Sequence, residues 1–198
     1  MKIIRFKFVG LFVLVLFLIS CAGTSTYVSP GETTQMDDKF SDTDLKMMTG
    51  GMYNSIINRL NIIEQGQSKR KVIALLSIIN KTSEHIDTES IADKLQINLL
   101  RSGTLRFVDR SKITAMTEQF DLSGSGLMDP NTVKSAGKVI GADYFLSGTI
   151  SSIEKRDRKK SLTYYRLSMR LVDTETNEII WADEFEIKKQ SNKGLWDM

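Results

Sequence analysis

The chain has 198 residues, 41% hydrophobic and 26% charged, with one cysteine and one histidine, a size that suits one domain with a proper core. A single cysteine excludes an internal disulfide framework, and a single histidine leaves a His/Cys metal site short of ligands. The formal charge of +3 belongs to the extreme N-terminus: without residues 1–20, which hold Lys2, Arg5 and Lys7 and no acid, the 27 basic residues fall to 24 against 24 acidic ones. The remainder is neutral, which removes the main support for a nucleic-acid partner.

Residues 1–20 have the layout of a secretory signal: a basic start, an apolar run from Phe8 to Ile19, and no Asp or Glu before Glu32. Twelve apolar residues are too few for a transmembrane helix, which needs roughly 20. The run ends in Leu18-Ile19-Ser20-Cys21, and these four residues resemble the lipobox of bacterial lipoproteins. That resemblance implies cleavage before Cys21, lipid attachment to its sulfur and, with Ala22 rather than Asp next, sorting to the outer membrane with the domain facing the periplasm. Two or more acyl chains anchor stably where one does not, at ~0.8 kcal/mol per buried methylene.

Residues 21–41 read as a lipidated cysteine and a flexible tether, polar and without hydrophobic period. As a coil the tether spans ~25 Å, and ~70 Å drawn straight. Residues 42–198 read as the folded domain. Ser41 or Asp42 caps a helix with Leu45, Met48, Met52, Ile56, Leu60 and Ile63 on one face. Helical spacing makes its methionines core residues rather than soft-metal ligands. Val72 to Ile79 is a buried, β-branched strand interrupted only by Ser77.

Asp87 or Thr88 opens a second helix, with Ile91, Leu95 and Leu99 inward, that stops at Ser102-Gly103. Thr104 to Val108 is a short strand, and Asp109 or Ser111 begins a helix carrying Ile113, Met116 and Phe120. After a Ser123–Gly126 loop, Asp129-Pro130 starts a helix that ends at Gly141. From Ala142 the period becomes two. Tyr144, Leu146 and Ile150 oppose Phe145, Ser147 and Thr149; Tyr165, Leu167, Met169 and Leu171 alternate with Arg166, Ser168 and Arg170; Ile179, Trp181, Phe185 and Ile187 share a parity with Asp183. Two consecutive hairpins follow, joined by the charged run Glu154–Lys160 and the turn Asp173–Asn177. The fold class is α/β: a small mixed sheet whose C-terminal antiparallel meander has one polar face and one face packed against helices.

Candidate chemistry is sparse. His85, beside Glu84 and Asp87, lacks a second histidine for a metal and a nucleophile for general-base work, so it reads as a surface residue. Ser123-Gly124-Ser125-Gly126 lacks the lysine of a P-loop. No catalytic, cofactor-binding or metal-binding residue is assigned, and no cofactor or small-molecule substrate is expected. The charged run could meet headgroups, wall polymer or an acidic partner patch, although hairpin tips are usually just solvated.

From Asp42 to Lys188 the sequence resembles the penicillin-binding protein activator LpoB family, on Asn80-Lys81-Thr82, Ile86-Asp87-Thr88, Ser102-Gly103, Phe107-Val108-Asp109, Gly141-Ala142-Asp143-Tyr144 and Glu178-Ile179-Ile180-Trp181 in order and spacing. The resemblance implies a fold like the N-terminal domain of TolB and an outer-membrane lipoprotein without enzymatic activity. It also implies a partner, a bifunctional class A penicillin-binding protein, stimulated in peptidoglycan synthesis. Members have a long proline-rich tether; this one has a single proline there, Pro30. A structural or secretion-associated lipoprotein of the CsgG kind is the alternative, disfavoured by the lack of long amphipathic pore-forming strands.

Overall fold

The computed structural model describes residues 26–33, 37–63, 69–120, 130–157 and 159–192, with the side chains of 116–120 and 130 left aside. It divides into Met1–Thr33 and Thr34–Met198. In the first unit, Glu32 N donates to Ser29 O (3.0 Å) and Gly31 N to Ser29 Oγ (3.3 Å), a turn around Pro30.

The second unit begins its regular structure with α1 (Asp42–Ile63), followed by β1 (Val72–Lys81), α2 (Thr88–Arg101), β2 (Arg106–Phe107), α3 (Arg110–Phe120), α4 (Pro130–Ile140), β3 (Tyr144–Arg156), β4 (Lys160–Asp173) and β5 (Ile179–Asn192). The five strands form one sheet in the order β2-β1-β3-β4-β5. Strand β1 is parallel to both β2 and β3, while β3–β4 and β4–β5 are antiparallel hairpins. The expected α/β class, mixed sheet and C-terminal meander are therefore all present.

Connectivity explains which faces are covered. From β1 the chain steps one way to β2 through α2, then back across β1 to β3 through α3 and α4; right-handed crossovers in opposite directions put their helices on opposite faces. Two separate cores result. One packs Met48, Met52, Ile56 and Leu60 of α1 and Ile91, Leu95 and Leu99 of α2 against Ile73, Leu146, Ile150, Tyr165, Leu167 and Leu171 of the sheet. The other joins Ile113, Val133 and Ala136 to Ala74, Leu76 and Phe145, so it covers only the β1–β3 side. Hairpins need no crossover helix, and no described helix covers the second face of β4 and β5.

Local signals hold where the chain is regular. Asp87 caps α2, accepting from Glu89 N and Ser90 N, and Gly103 past its end has φ of 71°. Gly51 of α1 is a close-approach position, since a Cβ there would run into the Phe185 ring of β5. The short strand expected over Thr104–Val108 shrinks to Arg106–Phe107, because only that much pairs with the start of β1. The charged run is not a long loop either: Glu154 to Arg156 finish β3, Lys160 begins β4, and Asp157 N donates to Lys160 O (2.8 Å) in a tight turn.

Candidate functional site

Three features carry polar or exposed groups that the core does not explain: the surface around His85, the segment leading into α1, and the open sheet face. His85 is exposed in the β1–α2 connection, beside a shallow depression lined by Phe40, Ser41, Glu84, Asp87 and Ser90. Among the described residues no group of three His, Cys, Asp or Glu side chains could hold a metal. Cys21 and the Ser123–Gly126 loop lie outside the described residues.

The segment before α1, which by sequence belongs to the tether, is laced to the sheet from Asp38 onward. Its Asp38 carboxylate accepts from the hydroxyls of Thr163 (2.8 Å) and Ser161. Both hydroxyls are buried, and the Ser161 bond foremost holds the Asp38 carboxyl below the usual carboxylate range. The Phe40 ring meets Tyr165 edge-on at 5.7 Å and 71°, and Phe40 N donates to Glu84 Oε2 (3.1 Å). Tyr165 is fully buried and donates its hydroxyl to Glu84 and to Asp38 O (3.2 Å). Burial first, and then the bond to Glu84, push that phenol well above its ordinary value.

Beneath the segment, Lys189 of β5 and Asp44 of α1 form an ion pair at 2.8 Å with side chains only 5% exposed, and Lys189 also donates to Lys39 O. Asp44 caps α1 as well, accepting from Ser41 N and Ser41 Oγ, both at 2.8 Å, in a capping box with aspartate in the usual glutamate place. The segment is thus a strap across the β4–β5 end of the sheet. Ser161, Thr163 and Lys189 sit on the inward parity of their strands and look like misplaced polar residues in the sequence. That was the available signal for it: inward polar groups require partners.

The open face presents Ser147, Thr149 and Ser151 of β3, Tyr164, Arg166, Ser168 and Arg170 of β4, and Ala182, Glu184 and Glu186 of β5. Small side chains in its middle leave a trough of about 610 Å³ lined from β1, β3, β4 and β5. Ile79, Lys81, Arg170 and Ile179 stand around it. The sequence pattern put Ile179 on the same face as Trp181; the structure separates them. A register irregularity opposite Leu171/Val172 pairs Trp181 with Leu171 but Ile179 with Val172, so one extra residue turns Ile179 outward, 60% exposed, while Trp181 is buried. Arg166 pairs loosely with Glu184 (3.7 Å), and Tyr164 donates to Glu186. That bond to Glu186 is the main reason the Tyr164 hydroxyl lies above its ordinary value.

The charged hairpin tip is partly neutralised within itself. Arg156 holds Glu154 at 2.7 Å, and Glu154 also accepts from Ser83. Among the methionines of α1, Met48 and Met52 are core as expected, while Met47 is 49% exposed.

A sheet covered by α1 and α2 on one side and by α3 and α4 over only part of the other, with a hydroxyl-lined stretch beside them, defines a small α/β domain. The family model described as peptidoglycan-synthase activator LpoB matches residues 44–187, and the chain belongs to that family. Solved structures agree in fold. The LpoB C-terminal domain from Escherichia coli is similar at 18% identity and a TM-score of 0.53, and that from Salmonella enterica at 18% and 0.51; each similarity covers 74% of this chain and 99% of the other. The NMR structure of Escherichia coli LpoB is similar at 16% identity and a TM-score of 0.50, over 88% of this chain and 86% of that one. No curated protein matches by sequence.

Proposed function

We propose that this chain is a non-enzymatic lipoprotein, anchored to the outer membrane through Cys21 and facing the periplasm, that binds a class A penicillin-binding protein and stimulates peptidoglycan synthesis. Family membership across the folded unit carries this reading. The residue chemistry accords with it: an activator needs a shaped surface, whereas a hydrolase needs a convergent nucleophile and base. Among the described residues no helix is long and apolar enough to cross a membrane; in this reading attachment is through the lipobox at Leu18–Cys21.

In this reading residues 1–20 are the removed signal, and the tether is shorter than 20 residues because the strap holds the chain from Asp38. Residues 22–36 drawn straight reach at most ~50 Å. A short tether near its limit lowers the effective concentration of the domain at a distant partner.

The direct test uses the full lipidated chain in detergent with each purified class A penicillin-binding protein of the same cell and lipid-linked precursor. The expected result is a faster synthase and no turnover of precursor by the chain alone. Turnover that survives repurification, with no effect on any synthase, would move the protein to the enzymes. For the anchor, Cys21→Ser is expected to abolish lipid labelling and release the protein from the membrane fraction; unchanged labelling and retention would refute it.

A further inference from the structure

The open face differs from an ordinary solvated sheet face in how its charges are matched. Arg156 has Glu154 and Arg166 has Glu184. Lys81, at the end of β1, and Arg170, in the middle of β4, have no carboxylate partner among the described residues, and both line the same trough. The Nε of Arg170 donates to the buried Ser147 hydroxyl at 3.4 Å, which orients the guanidinium and leaves its terminal nitrogens available. A guanidinium held in this way suits planar, bidentate recognition of a carboxylate.

The rest of the lining narrows the ligand. Thr149 and Ser168 add hydroxyls that both donate and accept, Ile79 and the outward-turned Ile179 add apolar contact, and the two carboxylates of the lining, Asp183 and Glu184, are engaged by Ser55 and Arg166. The trough crosses β1, β3, β4 and β5, about 14 Å at the usual spacing of strands, which is the length of some four residues of extended chain. Among the described residues no aromatic side chain lines it, so none of them offers a sugar ring a face to stack on. Neutrality beyond residue 20 argues equally against a polyanion held by charge alone.

Resting on the activator reading above, we propose that this trough is the synthase-docking surface, with Arg170 taking a carboxylate side chain from an extended segment of the penicillin-binding protein and Lys81, four positions further along the sheet, adding a second positive contact. Ile79 and Ile179, at opposite ends of the trough, offer apolar contact to other side chains of the segment. The hydroxyls of Thr149 and Ser168 meet main-chain groups of the same segment.

The test measures binding of the full lipidated chain in detergent to the synthase that it stimulates, at several salt concentrations, together with stimulation of glycan polymerisation. The double reversal Lys81→Glu with Arg170→Glu is expected to weaken Kd at least tenfold, with a flatter salt dependence and stimulation reduced in step. The control reversal Lys94→Glu with Lys134→Glu, on exposed positions of α2 and α4, should stay within twofold. Should the double variant lose its circular dichroism, Lys81→Glu alone and the filling change Ser168→Tyr replace it, each expected to weaken binding several-fold. Parent-like binding by folded trough variants overturns the docking surface and leaves the activator reading standing. An equal loss in the control pair also overturns it, because the effect would then be one of general charge. If the parent chain binds and stimulates none of the synthases, the activator reading fails and the occupant named here fails with it.

Discussion

The two faces of one sheet are built on opposite terms. On the face under α1 and α2, the inward positions are mostly apolar, and the buried polar ones have partners: Leu146 and Leu167 are completely buried, and the Lys189–Asp44 pair is enclosed by the strap. On the other face Thr149, Ser168 and Ala182 make a floor that no described helix covers. The first face carries stability. The second can change without unfolding the protein, which is the property a docking surface needs.

The comparison is broken most severely by Asp44→Ala, which strands a buried ammonium and removes the carboxylate half of the α1 capping box together. Leaving one member of a buried pair unmatched costs ~3–5 kcal/mol, and urea unfolding should show a loss of that size. A loss under 1 kcal/mol would mean that water reaches Lys189 and the strap is not closed. Next in size is Tyr165→Phe, which keeps the ring under Phe40 but deprives Glu84 and the Asp38 carbonyl of a donor. We expect a cost of ~1–3 kcal/mol, and faster proteolysis at residues 37–41 relative to the rest of the domain.

A smaller effect is expected from acid. Because the bonds from Ser161 and Thr163 depress the Asp38 carboxyl in the folded protein, folding favours the ionised form. Its contribution is complete above the ordinary value of 3.8 and is lost as pH falls through the lower folded value. Between pH 5 and pH 2 the parent should therefore lose more Tm than Asp38→Asn; parallel curves for the two proteins would remove Asp38 from the strap's acid response. The smallest change should come from the open face. Ser168→Ala and Arg166→Ala are each expected to stay within ~0.5 kcal/mol of the parent in stability, whatever they do to partner binding, and a loss above 2 kcal/mol in either would show that this face is part of the core.

Much of this architecture is legible in single segments. The three-and-four spacing of Met48, Met52, Ile56 and Leu60, the Asp87 cap and the alternation from Tyr165 to Leu171 each reflect a contact within one turn or across one strand. The family resemblance read from short motifs is likewise matched by the family model. The candidate site was much less legible. Its trough exists because small residues from β3, β4 and β5 coincide, and Ile179 reaches it only through the irregularity in β5. Parity counting assumes an unbroken pleat, so one inserted residue reverses every inference beyond it.

By itself the sequence determined the order of helices and strands, the glycine stops at Gly103 and Gly141, the inward parity of β3 and β4 and the family, because periodicity and helix ends are enforced by neighbours along the chain. Only the tertiary structure decided that β1 lies parallel between β2 and β3, that Asp38 is held by residues 123 and 125 positions away, and that one face of the meander stays uncovered. Those outcomes depend on which distant surfaces meet and on the direction in which each crossover turns. A hydrogen bond between Asp38 and Thr163 leaves no period in the chain between them, only a polar residue on each side whose partner must be found in space.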